Sequence, residues 1–383
     1  MISENVKYVG VNDYDLDLFE SQYEVPNGMA YNSYIILDDK IAIMDTVDHR
    51  ATGEWLSNVK KELGDRKPDY LVISHMEPDH SASIGALVSE YPGVTLVGSA
   101  KALQFLDQFY DNGIKAERIT AAEGFELKLG SHTLTFYAAA MVHWPEVLVS
   151  YESSEKLLFA ADAFGSFGTL DQQEDDWACE ARRYYFNIVG KYGAQVQALL
   201  KKLSGLDVAK ILPLHGPVLM DNLEFYLGKY NTWSSYLPED SGVAIVCGSI
   251  HGNTLAAAVE LRDAIEERGV KASLFDLSRD DVAEAVEDAF RYDRLVIASA
   301  TYDGGLFLPT LNFVNTLISK GYQNRLVGIL ENGTWAPMAA KKVRELMEGL
   351  KSITFADTVV TVKSALSAES RAQIGALADE LCK

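Results

Sequence analysis

Short apolar runs in the first half of the chain occur in pairs, separated by longer stretches with helical periodicity. Each pair is joined by a few polar residues such as Asp38-Asp39-Lys40, which is typical of a β-hairpin turn. The predicted hairpins pair residues 34–37 with 41–45, 125–129 with 133–138, and 147–151 with 157–161, and the predicted helices are 83–90, 102–109 and 180–203. Paired strands with interspersed helices predict two sheets sandwiched between helices.

After Pro238 the pattern changes to short β-rich runs that alternate with helical stretches. Gly269 stands where a helix C-terminus favours a left-handed residue, and Pro309 and Pro337 stand where helices begin. Successive βα units require right-handed crossovers, so this half predicts a parallel doubly wound sheet. The predicted domains are therefore 1–238 and 239–383. The predicted strands of the second domain are 243–247, 273–276, 295–299, 326–330 and 358–362, and its predicted helices are 254–268, 282–291, 309–320, 337–351 and 369–381.

Length, composition and charge agree with two globular domains. The chain has 383 residues, which exceeds the usual size of a domain with a single hydrophobic core. Of these residues, 48% are hydrophobic and 23% are charged. The formal net charge of −21 argues against nucleic acid as a partner, because its phosphates require basic surfaces.

The cysteines and the apolar runs exclude several classes of protein. Cys179, Cys247 and Cys382 are too widely spaced for a disulfide framework, a rubredoxin-like Cys-x-x-Cys module or an iron–sulfur cluster within these residues. The N-terminal residues show no basic segment followed by an apolar one, and no apolar run approaches the ~20 residues that span a bilayer. We therefore expect a cytoplasmic protein without a membrane partner.

The segment His75-Met76-Glu77-Pro78-Asp79-His80 holds four potential metal ligands directly after the apolar run 70–74. A strand that ends in a tight loop can aim such side chains at one point. The spacing resembles the metallo-β-lactamase-like signature, in which the second ligand is usually histidine. Glu77 takes that position here, and a carboxylate in place of an imidazole favours iron or manganese over zinc.

Three further candidate ligands, His143, Asp162 and His215, each follow a strand-like run. Side chains at the ends of neighbouring strands converge at one sheet edge. The candidate set is then four histidines, two aspartates and one glutamate, which is too many for one ion and suitable for two. Asp162 is predicted to bridge, because each of its oxygens can bind one metal, and two metals ~3.5–4 Å apart can clamp a small diatomic molecule. His49 and His132 lie outside this set and are predicted to be surface residues.

The segment Gly248-Ser249-Ile250-His251-Gly252-Asn253-Thr254 lies between the first predicted strand of the second domain and a helix. Backbone N–H groups, a helix N-terminus and the hydroxyls of Ser249 and Thr254 form a phosphate cradle there. The Walker lysine and Gly-x-Gly-x-x-Gly are absent, so the single phosphate of FMN is favoured over a nucleoside triphosphate or NAD.

Two further loops at the same sheet edge are expected to hold the flavin. Tyr302 and Trp335 can stack on an isoalloxazine ring, although Trp335 could instead pack onto the core beside the following helix. The predicted FMN contacts are Ser249, Ile250, His251, Gly252, Asn253, Thr254, Thr301, Tyr302, Asp303, Gly304, Gly305, Asn332, Gly333, Thr334 and Trp335.

With both sets of motifs, the chain resembles the flavodiiron proteins (A-type flavoproteins) over essentially its full length. Their pattern His-x-Glu-x-Asp-His, followed by His, Asp and His, is matched at every position. The resemblance implies an α/β fold, with an N-terminal αββα metallo-β-lactamase-like sandwich followed by a flavodoxin-like doubly wound parallel sheet. It implies that His75, Glu77 and His143 bind one iron, that Asp79, His80 and His215 bind the other, and that Asp162 bridges them. Some family members leave the histidine at the position of His80 uncoordinated, so both arrangements stay open.

The resemblance also implies an activity: reduction of O2 to water, of NO to N2O, or both. It implies electrons from a separate donor, either a rubredoxin-like protein or a reduced deazaflavin. The expected assembly is a head-to-tail homodimer or a dimer of dimers, with the flavin of one chain beside the irons of the other. Tyr184, Tyr185 and Phe186 are candidates for lining the gas pocket, although an aromatic stripe on a helix is more often core.

Two other functions fit part of the sequence. A metallo-hydrolase with an accessory flavodoxin domain is one, but hydrolytic zinc sites of this fold favour a histidine where Glu77 stands. A flavin electron carrier without catalytic activity is the other, but it would not need seven metal ligands. The gas preference and the electron donor stay open at this stage.

Overall fold

A computed structural model describes residues 2–172 and 176–383 and divides into two compact units. The first unit is Met1–Tyr185 with Ala194–Asn231, and the second is Phe186–Gly193 with Thr232–Lys383. The units differ from the predicted domains because residues 186–193 and 232–238 belong to the second unit. In the part of the chain that is described, no helix has the length and apolar character needed to cross a bilayer.

Among the described residues, the first unit contains two large β-sheets and two small sheets of two strands each. In chain order the strands are β1 (Val6–Tyr8), β2 (Val11–Asp13), β3 (Leu18–Phe19), β4 (Tyr23–Glu24), β5 (Met29–Tyr31), β6 (Tyr34–Ile36), β7 (Ala42–Met44), β8 (Tyr70–Ile73), β9 (Thr95–Gly98), β10 (Arg118–Thr120), β11 (Glu126–Lys128), β12 (Thr133–Ala138), β13 (Leu148–Glu152), β14 (Leu157–Phe159) and β15 (Lys210–Leu212). One sheet has the order β1-β6-β7-β8-β9-β10 and the other β11-β12-β13-β14-β15. The predicted hairpins are confirmed as the antiparallel pairs β6–β7, β11–β12 and β13–β14.

One hydrophobic core joins the two sheets. Val72 and Val97 from the first sheet pack with Phe136, Phe159 and Leu212 from the second, and all five side chains are buried. Alternate residues of each strand supply this core because strand side chains point to opposite faces in turn. The predicted sandwich is confirmed.

The helices up to residue 234 differ from the prediction in one stretch. They are α1 (Thr52–Leu63), α2 (Pro78–Ser81), α3 (Ile84–Glu90), α4 (Ala100–Phe109), α5 (Trp177–Tyr184), α6 (Gly193–Leu203) and α7 (Leu223–Ser234). The continuous helix predicted over 180–203 is wrong, because Tyr185–Val189 forms a π-helical turn and Gly190–Tyr192 a 3-10 turn. Gly190 and Gly193 lower the helix propensity there, which a count of apolar positions does not register.

The second unit is a parallel sheet with helices on its faces. Its elements are β16 (Asp240–Gly248), α8 (Asn253–Glu266), β17 (Ala272–Asp276), α9 (Val282–Arg291), β18 (Tyr292–Tyr302), β19 (Gly305–Leu306), α10 (Leu308–Ser319), β20 (Arg325–Asn332), α11 (Ala339–Met347), β21 (Ile353–Val362) and α12 (Ala368–Leu381). The sheet order is β17-β16-β18-β20-β21, and every neighbouring pair in it is parallel. The predicted doubly wound sheet is confirmed.

The predicted helix ends of this unit are borne out in part. Gly269 has a φ of +78°, as a left-handed helix terminus requires. Pro309 lies in the first turn of α10. Pro337 instead lies before α11, whose N-terminal cap is Met338. The helix predicted over 337–351 is therefore shorter at both ends.

The prediction that His132 is a surface residue is wrong. Its side chain is 3% exposed, with Nδ1 2.8 Å from Asp38 Oδ2 and Nε2 3.1 Å from Glu155 Oε1. Asp38 lies in the turn between β6 and β7 and Glu155 in the turn between β13 and β14, so the imidazole connects turns of both sheets. Burial opposes a charge on His132, but the bonds to Asp38 and Glu155 outweigh it and raise its pKa, with Glu152 adding to the effect. His49, in contrast, is exposed, as predicted.

We predict that His132→Gln destabilises the protein most at low pH. The charged imidazole contributes its full stability below the ordinary histidine pKa of ~6.5, and this contribution falls as the pH rises through the raised native value. Losing the two charge-assisted bonds should cost about 1–3 kcal/mol at pH 6 and less at pH 9. Urea midpoints of both proteins over this range measure the difference, with His49→Gln as the exposed control. An equal loss at pH 6 and pH 9 would contradict the charged assignment.

Candidate metal centre and cofactor pocket

The segment after β8 is anchored by the neighbouring strand β7. Asp45, directly after β7, accepts hydrogen bonds through Oδ1 from the backbone N–H of Ser74 (2.7 Å) and of His75 (3.3 Å). Thr46 donates both its backbone N–H and its hydroxyl to the carbonyl oxygen of His80, at 3.0 and 2.7 Å. The second half of the motif is the helical turn α2, capped at its N-terminus by Glu77, rather than the predicted loop. The parallel neighbour of β8 thus holds both ends of the motif.

One group of candidate ligands consists of His75, Glu77, His143 and Asp162, whose ligand atoms lie within 4.8 Å of one another. Glu77 Oε2 is 3.2 Å from His75 Nε2 and 3.2 Å from His143 Nε2. Asp162 Oδ2 lies 3.2 Å from His75 Nε2 and 3.0 Å from His143 Nε2. Two nitrogens and two carboxylate oxygens therefore converge on one point.

The second group consists of Asp79, His80 and His215. Asp79 Oδ2 is 3.3 Å from His80 Nε2 and 3.2 Å from His215 Nε2, and the two Nε2 atoms are 2.9 Å apart. The other oxygen of Asp162, Oδ1, lies 3.2 Å from His80 Nε2 and 3.7 Å from His215 Nε2. The carboxylate of Asp162 therefore presents one oxygen to each group. His80 turns its ring nitrogen into the second group, as a ligand would.

Neighbouring strands bring the distant ligands together. Strands β14 and β15 are parallel, and Asp162 and His215 follow them at the same edge of the second sheet. Asp162 is 1% exposed and His215 is fully buried. The two residues are 53 positions apart in sequence, so the sheet, and not local spacing, places them in contact.

The electrostatics of both groups match a cation site. Burial raises the pKa of Asp162, but His75 and His80 outweigh it and hold the value well below its usual range. Burial opposes charge on His143, yet its bonds to Asp162 and Glu77 raise its pKa to about 9. Both carboxylate oxygens of Asp79 and Oδ1 of Asp162 are buried and accept no hydrogen bond from any residue that the structure describes. Buried oxygens without a donor need a positive partner, which a metal ion supplies.

Outer contacts orient two of the imidazoles. The Nδ1 atom of His75 is 2.8 Å from Glu146 Oε1, and that of His215 is 2.8 Å from the carbonyl oxygen of Ala30. Each bond places the proton on Nδ1 and leaves Nε2 free to bind a metal. The Nδ1 atom of His80 is buried without a hydrogen-bond partner.

Of the three predicted gas-pocket residues, Tyr184 contacts a candidate ligand. Its ring centroid lies 5.5 Å from that of His215, and its hydroxyl is buried without a hydrogen-bond partner. Tyr185 packs edge-to-face on Tyr230, and Phe186 stacks on Phe290 within the second unit. Sequence reasoning missed Phe19, whose ring lies 5.4 Å from that of His215, because its hairpin is distant in sequence.

The second unit has a cavity of about 590 Å³ at the carboxyl edge of its sheet. Gly252, with a φ of +85°, precedes α8, so the N-terminus of this helix opens at the cavity. Thr254 is buried, and its Oγ1 accepts a hydrogen bond from Asn332 Nδ2 at 3.3 Å. The lining residues are Ile250, His251, Asn253, Thr254, Ala300, Thr301, Asp303, Gly304, Asn332, Gly333, Thr334, Trp335, Ala336, Met338 and Ser364.

Four of the predicted flavin contacts lie outside this lining. The hydroxyl of Ser249 accepts a hydrogen bond from the backbone N–H of Gly252 at 3.1 Å, so both shape the loop. Tyr302 and Gly305 line a neighbouring groove of about 420 Å³. Trp335 is 91% exposed, so it does not pack onto the core.

Sequence reasoning missed Ala300, Ala336, Met338 and Ser364. Ser364 follows β21 at the same sheet edge, which is the signal that could have identified it. Its backbone N–H donates to Asn332 Oδ1 at 3.1 Å, and its hydroxyl lies 2.7 Å from that of Thr334. The lining offers hydroxyls, amides and a helix N-terminus and includes no lysine or arginine, which fits a single phosphate.

Together, a candidate metal centre of seven side chains on a β-sandwich and a cavity suited to a mononucleotide on a parallel sheet are the pattern of a metalloflavoprotein. A family model described as "ODP family beta lactamase" matches residues 29–216. The chain is 28% identical over 337 residues to putative diflavin flavoprotein A 1 of Nostoc, covering 87% of this chain and 58% of that protein. It is 26% identical to the anaerobic nitric oxide reductase flavorubredoxin of Aliivibrio salmonicida, covering 89% and 70%.

Two solved structures are similar to this chain over nearly its full length. Rubredoxin oxygen:oxidoreductase from Desulfovibrio gigas has a TM-score of 0.93 at 25% identity, covering 100% of this chain and 97% of that one. The flavodiiron protein of Giardia intestinalis has a TM-score of 0.91 at 24% identity, covering 99% and 96%. The chain belongs to the flavodiiron protein family. Its predicted fold class, metallo-β-lactamase-like followed by flavodoxin-like, is confirmed. The family binds FMN and a non-haem diiron site, and both sites of this chain fit those groups.

We predict that Asp162→Ala weakens both metals together, by roughly 100-fold each. Each group would lose one carboxylate oxygen, because Asp162 presents Oδ2 to one and Oδ1 to the other. Asp79→Ala is the matched control, since Asp79 belongs to the second group alone and its loss should remove one metal. Metal analysis of the purified variants measures the content per chain. An Asp162→Ala protein that keeps one metal with an unchanged spectrum would show that Asp162 is a terminal ligand.

Proposed function

We propose that this chain is an oxidoreductase that reduces O2 to water, NO to N2O, or both. The observation that carries the proposal is the carboxylate of Asp162, which presents one oxygen to each of two groups of candidate ligands. When bound, two irons and FMN supply up to four electrons, enough for one O2 or for coupling two NO molecules. The name rubredoxin oxygen:oxidoreductase supports O2 as the substrate, and the name anaerobic nitric oxide reductase flavorubredoxin supports NO.

The ligand groups would divide the metals between them. His75, Glu77 and His143 would hold one iron, and Asp79, His80 and His215 the other, with Asp162 bound to both. Glu77 supports iron over zinc, because its oxygen replaces a softer imidazole nitrogen. A hydrolytic zinc site is therefore the weaker proposal.

Tyr184 would act on the substrate rather than on the metals. Burial and the carboxylates of Asp162, Asp79 and Glu77 raise its pKa well above the ordinary tyrosine value, so its hydroxyl keeps its proton. Within the described part of the chain, this hydroxyl has no hydrogen-bond partner. It can donate a hydrogen bond to a bound diatomic molecule, while its ring helps exclude water beside His215.

The second unit would hold FMN in its cavity. The N-terminus of α8, with Asn253 and Thr254, would bind the phosphate. Trp335, which lines the cavity, would flank the flavin ring, whereas Tyr302 lines the neighbouring groove. Electrons would come from a separate donor, either a rubredoxin-like protein or a reduced deazaflavin. The first is supported by the word rubredoxin in the names of both relatives.

Gas consumption by the reduced protein tests the proposal. Protein loaded with iron and FMN is reduced anaerobically and mixed with O2 or with NO, and the flavin spectrum, water, peroxide and N2O are followed. At least one gas should be turned over at about 1 s⁻¹ or faster. The Asp162→Ala protein, which keeps FMN, should show only slow flavin reoxidation. A wild-type protein with two irons that reacts no faster than this control with either gas would contradict the proposal.

We also propose that two chains pair head to tail, or form a dimer of such dimers, so that each flavin serves the irons of the partner chain. The support is the apolar surface around the flavin cavity, where Trp335 is 91% and Tyr302 46% exposed. A partner chain would cover these side chains. Such a mutual contact is an isologous interface.

Mixing two inactive chains tests the pairing. Asp162→Ala lacks irons, and Asn253→Glu should lack FMN, because it places a carboxylate at the helix N-terminus where the phosphate would bind. Neither homodimer should reduce the gas, whereas the heterodimer holds one working pair and should show about half of wild-type activity per dimer. A heterodimer confirmed by mass spectrometry that stays inactive would show that electrons pass within one chain.

A further inference from the structure

The two ligand groups are matched in number and charge. Each has two imidazoles and one terminal carboxylate, and the two share the carboxylate of Asp162. The terminal carboxylates are Glu77 and Asp79. The ligands alone therefore give neither position a preference for the more highly charged ferric ion. Any difference between the two must come from residues that touch the ligands.

Glu146 breaks this balance. Its Oε1 lies 2.8 Å from Nδ1 of His75 and accepts a second hydrogen bond, of 2.9 Å, from the backbone N–H of Met76. Its side chain is fully buried, and its Oε2 has no hydrogen-bond partner among residues 2–172 and 176–383. A buried carboxylate with one unsatisfied oxygen needs positive charge nearby. A metal bound at Nε2 of His75 would supply that charge.

The second position has no equivalent. The outer nitrogen of His215 meets the neutral carbonyl of Ala30, and that of His80 has no partner. Among the described residues, no carboxylate hydrogen-bonds the outer nitrogen of His80, His143 or His215. Asp45 is a second buried carboxylate, and its charge interacts with that of His80. It accepts its hydrogen bonds from the backbone of Ser74 and His75 and not from an imidazole ring, so the difference between the two positions is the hydrogen bond to an outer nitrogen.

We propose that Glu146 is a positioning residue that holds the ferric state at the iron bound by His75, Glu77 and His143. With irons bound, the one held by Asp79, His80 and His215 would be the easier to reduce, and the one held by His75, Glu77 and His143 the harder. A negative charge on the outer nitrogen of a ligand makes the imidazole a stronger donor, and a stronger donor favours the higher oxidation state. This inference rests on the proposed diiron centre, and it adds the order in which the centre fills.

The test is a reductive titration of the iron- and FMN-loaded protein with dithionite, followed by electron paramagnetic resonance of the mixed-valent state. Glu146→Gln keeps an acceptor oxygen of the same shape but removes the charge. The potential of the second reduction step should rise, while that of the first changes little. The equilibrium constant for forming the mixed-valent state from the diferric and diferrous states should therefore fall about tenfold. Its maximum signal should fall accordingly, with iron and FMN content unchanged.

Glu152→Gln is the matched control. Glu152 is also a buried glutamate, but it accepts hydrogen bonds from Ser154 and Glu155 and touches no metal ligand. It should leave both steps at their wild-type values. If both steps shift equally in Glu146→Gln, or if the separation between them is unchanged or widens, the inference is overturned.

A second variant covers the case in which Glu146→Gln fails to retain two irons. Glu146→Asp keeps the negative charge on a shorter side chain. The inference therefore predicts that the two reduction potentials differ by about as much as in the wild-type protein. A separation that collapses in Glu146→Asp would overturn it. A wild-type protein that holds no reducible pair of irons overturns the proposed function itself, which distinguishes the two failures.

Discussion

Buried negative charge is the constraint on which the first unit depends. Glu77, Asp79 and Asp162 bring three carboxylates against four imidazoles in a largely water-free space. Unpaired charge in such a place costs several kcal/mol per ion. Two divalent cations bound to these ligands would remove this cost. A buried ligand must also be held in one orientation, and the contacts of Asp45, Glu146 and Ala30 with the ligand segments do this.

The same geometric rule builds both cofactor sites. In a parallel sheet the strand ends on one edge bring distant loops together. In the first unit β14 and β15 place Asp162 and His215 there, and β8 contributes the segment that begins at His75. In the second unit the ends of β16, β18, β20 and β21 surround the flavin cavity. Two chemically unlike sites therefore rest on one principle of chain topology.

Much of this was predictable from the sequence, because the informative signals are local. The spacing from His75 to His80 and the alternation of strands and helices after Pro238 each lie within short segments. The sequence-based predictions were wrong where contacts between segments distant in sequence determine the burial of a residue or the type of helix. Asp38 and Glu155, which hold the buried His132, come from turns that are remote in sequence. The backbone oxygen of Ser234 lies 2.5 Å from where a Cβ of Gly193 would stand, and the helix type changes at this point, which periodicity does not reveal. Ser364 joins the flavin cavity through sheet order alone.

The central claim is that Asp162 lies between two irons. Anomalous diffraction from crystals of the purified protein, recorded on either side of the iron absorption edge, tests it most directly. The account predicts two iron peaks of similar height, about 3.5–4 Å apart, each within bonding distance of a different carboxylate oxygen of Asp162. A single peak, or two peaks of which only one contacts Asp162, would contradict it.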